Sequence, residues 1–284
     1  MKKLLLIIAT SLLLLTGCKD AYSTVKTPNE ALVTIGKESI TKGDVYSTLL
    51  VNYGSFTIVS DLNTKILDAE VEITDAMKED AQAQLETYKS MYKDQWTDFM
   101  KYYGYTKEED LTDSIINGSR QKELINKYVN ENWDALVARF NPKKAVILSF
   151  ADVDSANAAQ AELEKNVDPK EVATAYNSSS TGESEIILSE STYPSEVMGY
   201  INTATASDKF DNIPSTDGAT IYLIKVVETD ASKIKDQTVE TIASLDTVNQ
   251  DAISFYLSKY DFRIYDKSLY DNMLANYSYY VVQK

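Results

Sequence analysis

The 284-residue chain contains no histidine and a single cysteine. Without histidine there is no imidazole general base, no serine–histidine or cysteine–histidine nucleophile pair, and no imidazole metal ligand. One cysteine excludes an intrachain disulfide and a cysteine zinc site. These absences remove the commonest hydrolytic and metal-dependent chemistries, so we expect neither a metal nor another cofactor.

The N-terminal apolar run, Leu4 to Leu15, is too short to span a bilayer comfortably. It follows Lys2 and Lys3, which gives the charged and apolar regions of a secretory signal. The run ends in Leu-Thr-Gly-Cys, with the only cysteine of the chain at Cys18. This segment resembles the lipobox of bacterial lipoproteins, in which the bond before the cysteine is cut and its sulfur carries a diacylglycerol. An ordinary signal peptide is the alternative, but the position of Cys18 favours lipidation.

Lipidation predicts a domain held at the extracytoplasmic face of a cell membrane, because two or more acyl chains anchor a protein stably. Removing a signal peptide at residues 1–17 takes Lys+Arg from 28 to 26 against 43 acidic residues, a formal net charge of −17. Such a body repels nucleic acid and anionic lipid. We therefore expect no nucleic-acid partner, and membrane attachment only through the lipid on Cys18.

Residues 18–30 are typical of a polar tether, and a helical segment at residues 31–141 follows. It begins with a short strand and a turn at Gly36. Thr41 with Asp44, and then Thr74, form N-cap patterns that predict helices directly after them. Apolar residues spaced three or four positions apart predict one helical face, formed by Met77, Ala81, Leu85, Tyr88, Tyr92, Trp96 and Phe99.

A break at Gly104 is followed by Thr106 and Glu109, a capping-box pattern that predicts a helix continuing without interruption to Asn141. Residues 142–232 then change in character and predict a small α/β insert. Its predicted elements are a strand at 144–150, helices at 155–165, 169–176 and 194–202, a loop at 177–185, and a strand at 219–228.

Residues 233–284 predict a return to a long helix, then a short strand in "FRIYDKSLYDNML" and a terminal helix. The whole chain is therefore predicted to be α+β: mostly helical, then a small α/β insert, then helical again.

Familiar catalytic and metal motifs are absent or incomplete. "ADVDSAN" lacks the glycine and glutamate that an EF-hand loop needs, so Asp154 or Ser155 is better interpreted as a helix cap. Ser39-x-x-Lys42 and Ser90-x-x-Lys93 match the serine–lysine pattern of penicillin-binding enzymes, but no Lys-Thr-Gly follows.

Twenty tyrosines exceed the need of a core of this size, and many are concentrated in "YKSMYKDQWTDFMKYYGY". Packing on long helices is one interpretation. The other is an aromatic surface that binds extended polypeptide, since aromatic rings make adaptable contacts at small entropic cost. The candidate client-binding residues are Tyr88, Tyr92, Trp96, Phe99, Tyr102 and Tyr103.

The order of these segments resembles the PrsA and SurA foldase family. The opening segment matches that family's pattern at Val33, Ile35, Gly36, Ile40, Thr41, Lys42, Asp44 and Tyr46. The closing segment matches at Phe262, Ile264, Asp266 and Leu269. The resemblance implies that the two chain ends pair into one chaperone domain and that residues 142–232 form a parvulin-type prolyl isomerase domain.

The insert departs from the family at both of its active-site histidines. Alignment of "VIL" with the family's "HIL" places Val146 at the first position, and alignment of "LIKV" with "IIKV" places Tyr222 at the second. The family's acidic residue falls near Glu183 or Glu185. The resemblance thus implies a degenerate parvulin with weak or absent isomerase activity.

We therefore expect a membrane-anchored chaperone that assists the folding of unfolded or newly translocated secreted proteins. A homodimer through the helical domain is compatible with this organisation. An active isomerase with a non-histidine pocket is one alternative. A solute-binding lipoprotein is another, but it would need two α/β lobes of similar size.

Overall fold

The computed structural model describes residues 25–283; the predicted signal peptide, Cys18 and the first part of the predicted tether lie outside them. The described residues divide into two compact units, a first that runs to Leu124 and resumes at Asp246, and a second from Ile125 to Leu245. Helices predominate beside two small antiparallel sheets, so the predicted α+β class is confirmed. The predicted limits of the insert, 142 and 232, remain a prediction. No helix in the described range is long and apolar enough to cross a bilayer.

A β-hairpin opens the first unit, formed by β1 (Ala31–Ile35) and β2 (Glu38–Thr41). The predicted capping box is confirmed, since the Asp44 amide donates to Thr41 Oγ1 at 3.2 Å and the Thr41 amide donates to Asp44 Oδ2 at 2.8 Å. The helical run that follows comprises α1 (Lys42–Leu49), a π-helical turn (Leu50–Gly54) and α2 (Ser55–Glu70).

Helix α3 (Asp75–Tyr92) starts at the predicted cap, where the Met77 amide donates to Thr74 Oγ1 at 3.2 Å. The predicted single face through Phe99 is interrupted, because Lys93 takes a φ of +41° that no α-helix accommodates. A 3₁₀ turn follows the break, and α4 (Trp96–Tyr102) then begins.

The predicted capping box at Thr106 and Glu109 is wrong. The Asp110 carboxylate accepts the Thr106 amide at 3.0 Å and the Lys107 amide at 3.1 Å, whereas Glu109 forms an ion pair with Lys107. The predicted unbroken helix is also wrong, because Asn132, with φ −113° and ψ 22°, departs from helical geometry and separates two helices. The segment therefore forms α5 (Glu108–Glu131) and α6 (Trp133–Phe140).

After α6, the second unit contains β3 (Lys143–Phe150), α7 (Val153–Leu163), α8 (Pro169–Ala175), β4 (Ser184–Ile187), α9 (Ser195–Thr203), β5 (Asp211–Pro214), β6 (Ile221–Glu228) and α10 (Lys235–Ala243). The four strands form an antiparallel sheet with the strand order β4-β3-β6-β5. Helix α7 is capped by Asp152, whose Oδ1 accepts the Ser155 amide at 2.7 Å, and so neither Asp154 nor Ser155 is the cap.

The two faces of this sheet carry separate apolar cores, because successive side chains of a strand point in opposite directions. One face packs Val146, Leu148 and Phe150 together with buried side chains of α7 and α8. The other packs Ala145 and Ile147 together with buried side chains of α9.

A buried lysine fixes the C-terminus of α9 to the start of β3. Lys143 is 8% exposed, and its Nζ donates to the carbonyls of Ile201 at 2.7 Å, Asn202 at 2.9 Å and Ala204 at 3.2 Å. These carbonyls lie at the helix end, where carbonyl groups lack partners within the helix. The ammonium group therefore satisfies the helix end and holds α9 over its face of the sheet.

The long helix predicted after Lys233 is interrupted at Ser244, so α10 is followed by a separate α11 (Asp246–Ser258). The predicted closing strand is also wrong, because the described residues 259–266 contain no strand, and the Ile264 amide donates to the side chain of Gln283. Asp266 caps the last helix, α12 (Lys267–Asn276).

Candidate functional site

The two positions aligned with the family histidines lie on opposite faces of the sheet. Val146 is opposite Lys225 and is buried in the core beneath α7 and α8. Tyr222 is opposite Ser149, is half-buried, and packs against the core beneath α9. The two side chains therefore do not share a pocket.

A cluster of serine hydroxyls lies next to Tyr222. Ser149, directly opposite on β3, is 6% exposed and has its Oγ 3.2 Å from Ser180 Oγ and in hydrogen-bond contact with Ser179 Oγ. The Ser149 amide donates to Ser178 Oγ at 3.1 Å. The loop after α8 is thus hydrogen-bonded to the end of β3, a contact that the predicted loop at 177–185 did not include. The run of three consecutive serines in this loop was the only sign of this contact in the sequence.

The surroundings of Tyr222 combine these hydroxyls with apolar side chains. Ile213 of β5 lies opposite Tyr222 on the side away from Ser149, and Ile224 belongs to the same core. Hydroxyl groups both donate and accept hydrogen bonds, but they do not change charge near neutral pH as an imidazole does. This arrangement can donate hydrogen bonds to a carbonyl group beside an apolar side chain.

Neither glutamate candidate lies beside Tyr222. Glu183 is exposed and pairs with Lys170, Oε1 to Nζ at 2.6 Å. Glu185 accepts a hydrogen bond from the Tyr193 hydroxyl, and burial is the main reason that the pKa of Tyr193 is raised. Glu185 on β4 and Val226 on β6 both pair with Ala145 of β3, so Glu185 is displaced from Tyr222 by two strands across the sheet, about 10 Å, and by four residues along it, about 13 Å.

Two further contacts fix the face beneath α9. The Tyr200 hydroxyl donates to Asp211, and burial, followed by this hydrogen bond, raises the pKa of Tyr200 to about 12. Glu196 accepts from the side chain and the amide of Thr216, which lowers the pKa of Glu196 to about 2. Both contacts join α9 to the β5 hairpin, so this face is rigidly built.

The six aromatic candidates of α3 and α4 divide into packed and exposed side chains. Phe99 is the centre, with ring centroids 4.2 Å from Tyr92, 4.9 Å from Tyr103, 5.4 Å from Trp96 and 5.7 Å from Tyr88.

Beneath these rings lie Leu85, Met100 and Leu111, and the indole Nε1 of Trp96 donates to Glu108. Tyr102 and Tyr103 are 83% and 59% exposed, so they are the candidates with free ring surface. Client binding by these side chains remains a prediction.

Residues 25–283 contain no group of three or more histidine, cysteine, aspartate or glutamate side chains placed to hold a metal ion.

No protein-family model matches the chain. Solved structures that match the chain include the peptidylprolyl isomerase (PrsA) of Bacillus cereus, at TM-score 0.47 and 18% identity, covering 88% of this chain and 99% of that one. Another is foldase protein PrsA of Streptococcus pneumoniae, at TM-score 0.42 and 17% identity, covering 89% and 100%. A curated relative, foldase protein PrsA 2 of Bacillus cereus, is 23% identical over 248 residues, or 82% of this chain and 79% of the relative. This relative confirms the resemblance to PrsA-type foldases.

Proposed function

We propose that this chain is a membrane-anchored extracytoplasmic foldase that holds unfolded or newly translocated secreted proteins. The observation that carries the proposal is the similarity to a foldase over 82% of the chain. It is supported by exposed aromatic side chains in the first unit and by the presence in the second unit of the two predicted strands, β3 and β6, and the three predicted helices, α7, α8 and α9.

The lipid anchor on Cys18 is part of this proposal and is supported by the position of the only cysteine after an apolar run. Growth of the bacterial host with a palmitate analogue should label the wild-type protein. Cys18→Ser should lose the label and move from the membrane fraction to the medium. A Cys18→Ser protein that keeps the label would contradict the anchor.

We further propose that prolyl isomerisation is weak or absent. Rotation of a prolyl bond is accelerated by desolvating and polarising the amide in a hydrogen-bonded pocket. The chain has no imidazole, and Val146 is buried in the core beneath α7 and α8, away from Tyr222. The donors and acceptors of a histidine network are therefore missing from the face beneath α9.

A proline-isomerisation assay on the mature protein tests this directly. We expect a rate close to the uncatalysed background for the wild type, with Tyr222→Phe the same. Turnover comparable to an intact parvulin, reduced strongly by Tyr222→Phe, would overturn the proposal.

An active isomerase with a hydroxyl pocket is the second candidate, and the serine cluster around Ser149 favours it. It predicts measurable turnover that both Ser149→Ala and Tyr222→Phe reduce. Ser189→Ala is a suitable control, because Ser189 is exposed and lies outside the cluster.

Holding activity is measured by suppression of aggregation of a chemically unfolded client protein. If the exposed rings contribute, replacing both Tyr102 and Tyr103 by serine should weaken suppression without lowering the melting temperature. A matched control replaces Val153 and Val227, which are exposed on the second unit. Equal suppression by both double variants would remove the two tyrosines from the client-binding surface.

A further inference from the structure

Exposed apolar side chains are concentrated near the beginning of the first unit. Among the described residues, nine of the eighteen large hydrophobic side chains that are exposed fall between residues 32 and 56. A concentration of this kind marks an interaction surface more often than chance exposure does. The nine exposed side chains between residues 32 and 56 are Leu32, Val33, Ile35, Ile40, Val45, Leu49, Val51, Tyr53 and Phe56.

The same segment carries no net charge, although the chain as a whole has a formal net charge of −15. Between residues 25 and 60, three lysines are balanced by three acidic residues. An apolar surface in this segment is therefore free of the charge excess that surrounds it.

Part of this segment lines a groove of about 820 Å³ within the first unit. One wall is formed by α1, the π-helical turn and the first turns of α2, and the other by residues 261–266 with Leu269. The side chains of the first wall are Tyr46, Leu49, Leu50, Tyr53, Thr57, Ile58 and Leu62. The volume lies within the usual range of ligand pockets and suits several side chains rather than one.

The π-helical turn shapes the first wall. It spans Leu50–Gly54, and a Cβ on Gly54 would lie 2.9 Å from Leu50 Cδ1, so the close approach there suits glycine. Single-turn π segments insert an extra residue into a helix and occur frequently at functional sites. Leu49 and Tyr53 flank and occupy this turn, and they are 53% and 64% exposed.

Hydrogen bonds fix the positions of the elements that form the two walls. Ser55 Oγ donates to Asn272 Oδ1 at 2.5 Å, which joins α2 to α12. The Tyr46 hydroxyl donates to Asp266 Oδ2 at 3.4 Å, which joins α1 to the opposite wall. The groove is therefore a built feature of the unit.

The second wall gives the groove a negative charge. Asp261 and Asp266 line it, against a single cation, Arg263, whose Nε is 3.0 Å from Asp261 Oδ1. A second copy of this acidic chain, or an anionic lipid surface, would meet repulsion here. A ligand with basic residues beside an apolar centre would meet attraction.

We propose that this groove binds an extended polypeptide segment in which apolar side chains are flanked by lysine or arginine. The inference rests on the proposed foldase function and names the client chemistry and its place. The apolar side chains lie against Leu49, Tyr53 and Ile58, and the basic flanks face Asp261 and Asp266.

The test measures the fluorescence anisotropy of a labelled peptide with an apolar core between two pairs of lysines. The wild type should bind it, and binding should weaken with added salt. The Leu49→Ser/Tyr53→Ser variant should weaken binding about tenfold or more, because each loses apolar contact area. Val51→Ser is the matched control, since Val51 is 60% exposed but does not line the groove, and it should bind as the wild type does.

Three results would overturn the inference. The double variant could bind the peptide as tightly as the wild type does, or the wild type could bind a peptide flanked by glutamates equally well. Third, the double variant could differ from the wild type in the sedimentation of the free protein and not in its affinity for the peptide. The last would assign the groove to a second copy. Client aggregation separates this inference from the proposed function. A wild type that does not suppress aggregation refutes the function, whereas suppression undiminished in the double variant refutes only the groove.

Discussion

Replacement of Lys143 by methionine tests how α9 is held against the sheet. Methionine keeps the apolar stem of the lysine but removes the ammonium group that three carbonyls accept, at 2.7, 2.9 and 3.2 Å. Hydrogen bonds to charged groups contribute about 1.5–3 kcal/mol each, and these three are not additive because they share one donor group. Burial lowers the pKa of the Lys143 ammonium, so part of the gain is offset by desolvation. We expect a net loss of about 2–4 kcal/mol in the free energy of unfolding.

Urea denaturation measures this loss, and amide hydrogen exchange locates it. Amides of α9 should exchange faster in Lys143→Met, while those of α7 on the opposite face should change less. Lys144→Met is the control, because Lys144 is half-exposed on the same strand, and its effect should stay within about 0.5 kcal/mol. If the two variants have the same stability, the carbonyls of α9 do not depend on Lys143 and the reasoning is wrong.

Three other predictions concern single contacts. Arg120→Met should cost about 2–4 kcal/mol in urea denaturation, because the buried guanidinium donates twice to the Val71 carbonyl; a loss below that of an exposed lysine variant would contradict this. Thr74→Ala should cost about 1 kcal/mol through loss of the α3 cap, measured in the same way, and no loss would contradict the cap. The contact between Glu196 and Thr216 lowers the pKa of Glu196 to about 2, so it stabilises the fold above the usual glutamate pKa and should be lost as pH falls towards 2. The Thr216 amide resonance reports this, and a chemical shift independent of pH in acid would refute it.

Elements specified by neighbouring residues could be predicted from the sequence. The caps at Thr41 and Thr74 depend on a side chain and an amide three residues apart, and both are present. The cap at Thr106 failed although its pattern was fuller, because Asp110 competes with Glu109 for the same amides. Local pattern gives the helix but not which of two adjacent carboxylates reaches its end.

Elements specified by distant partners could not be predicted. Strands β4 and β5 have four residues each, and Ser184, Glu185, Asp211, Asn212 and Pro214 are poor strand formers. They form strands because β4 is hydrogen-bonded to β3 and β5 is hydrogen-bonded to β6.

The face of the sheet on which each candidate position lies could not be predicted for a related reason. Alignment of letters gives position along a strand, but a shift of one residue exchanges the two faces of a sheet. Only the register of β3 with β6 reveals that Tyr222 is next to Ser149 and not next to Val146.

The pairing of the first and last strands of the second unit determines where the polypeptide enters and leaves its sheet. Lys144 near the start of β3 lies opposite Glu228 at the end of β6, and paired strands are only about 5 Å apart. The polypeptide therefore enters and leaves the sheet side by side, as in domains that tolerate insertion into another domain. Anything between these two points, including a catalytic residue, can be exchanged over evolution without altering the spacing that the flanking segments must span. Such a module can lose its chemistry and still be retained by its host.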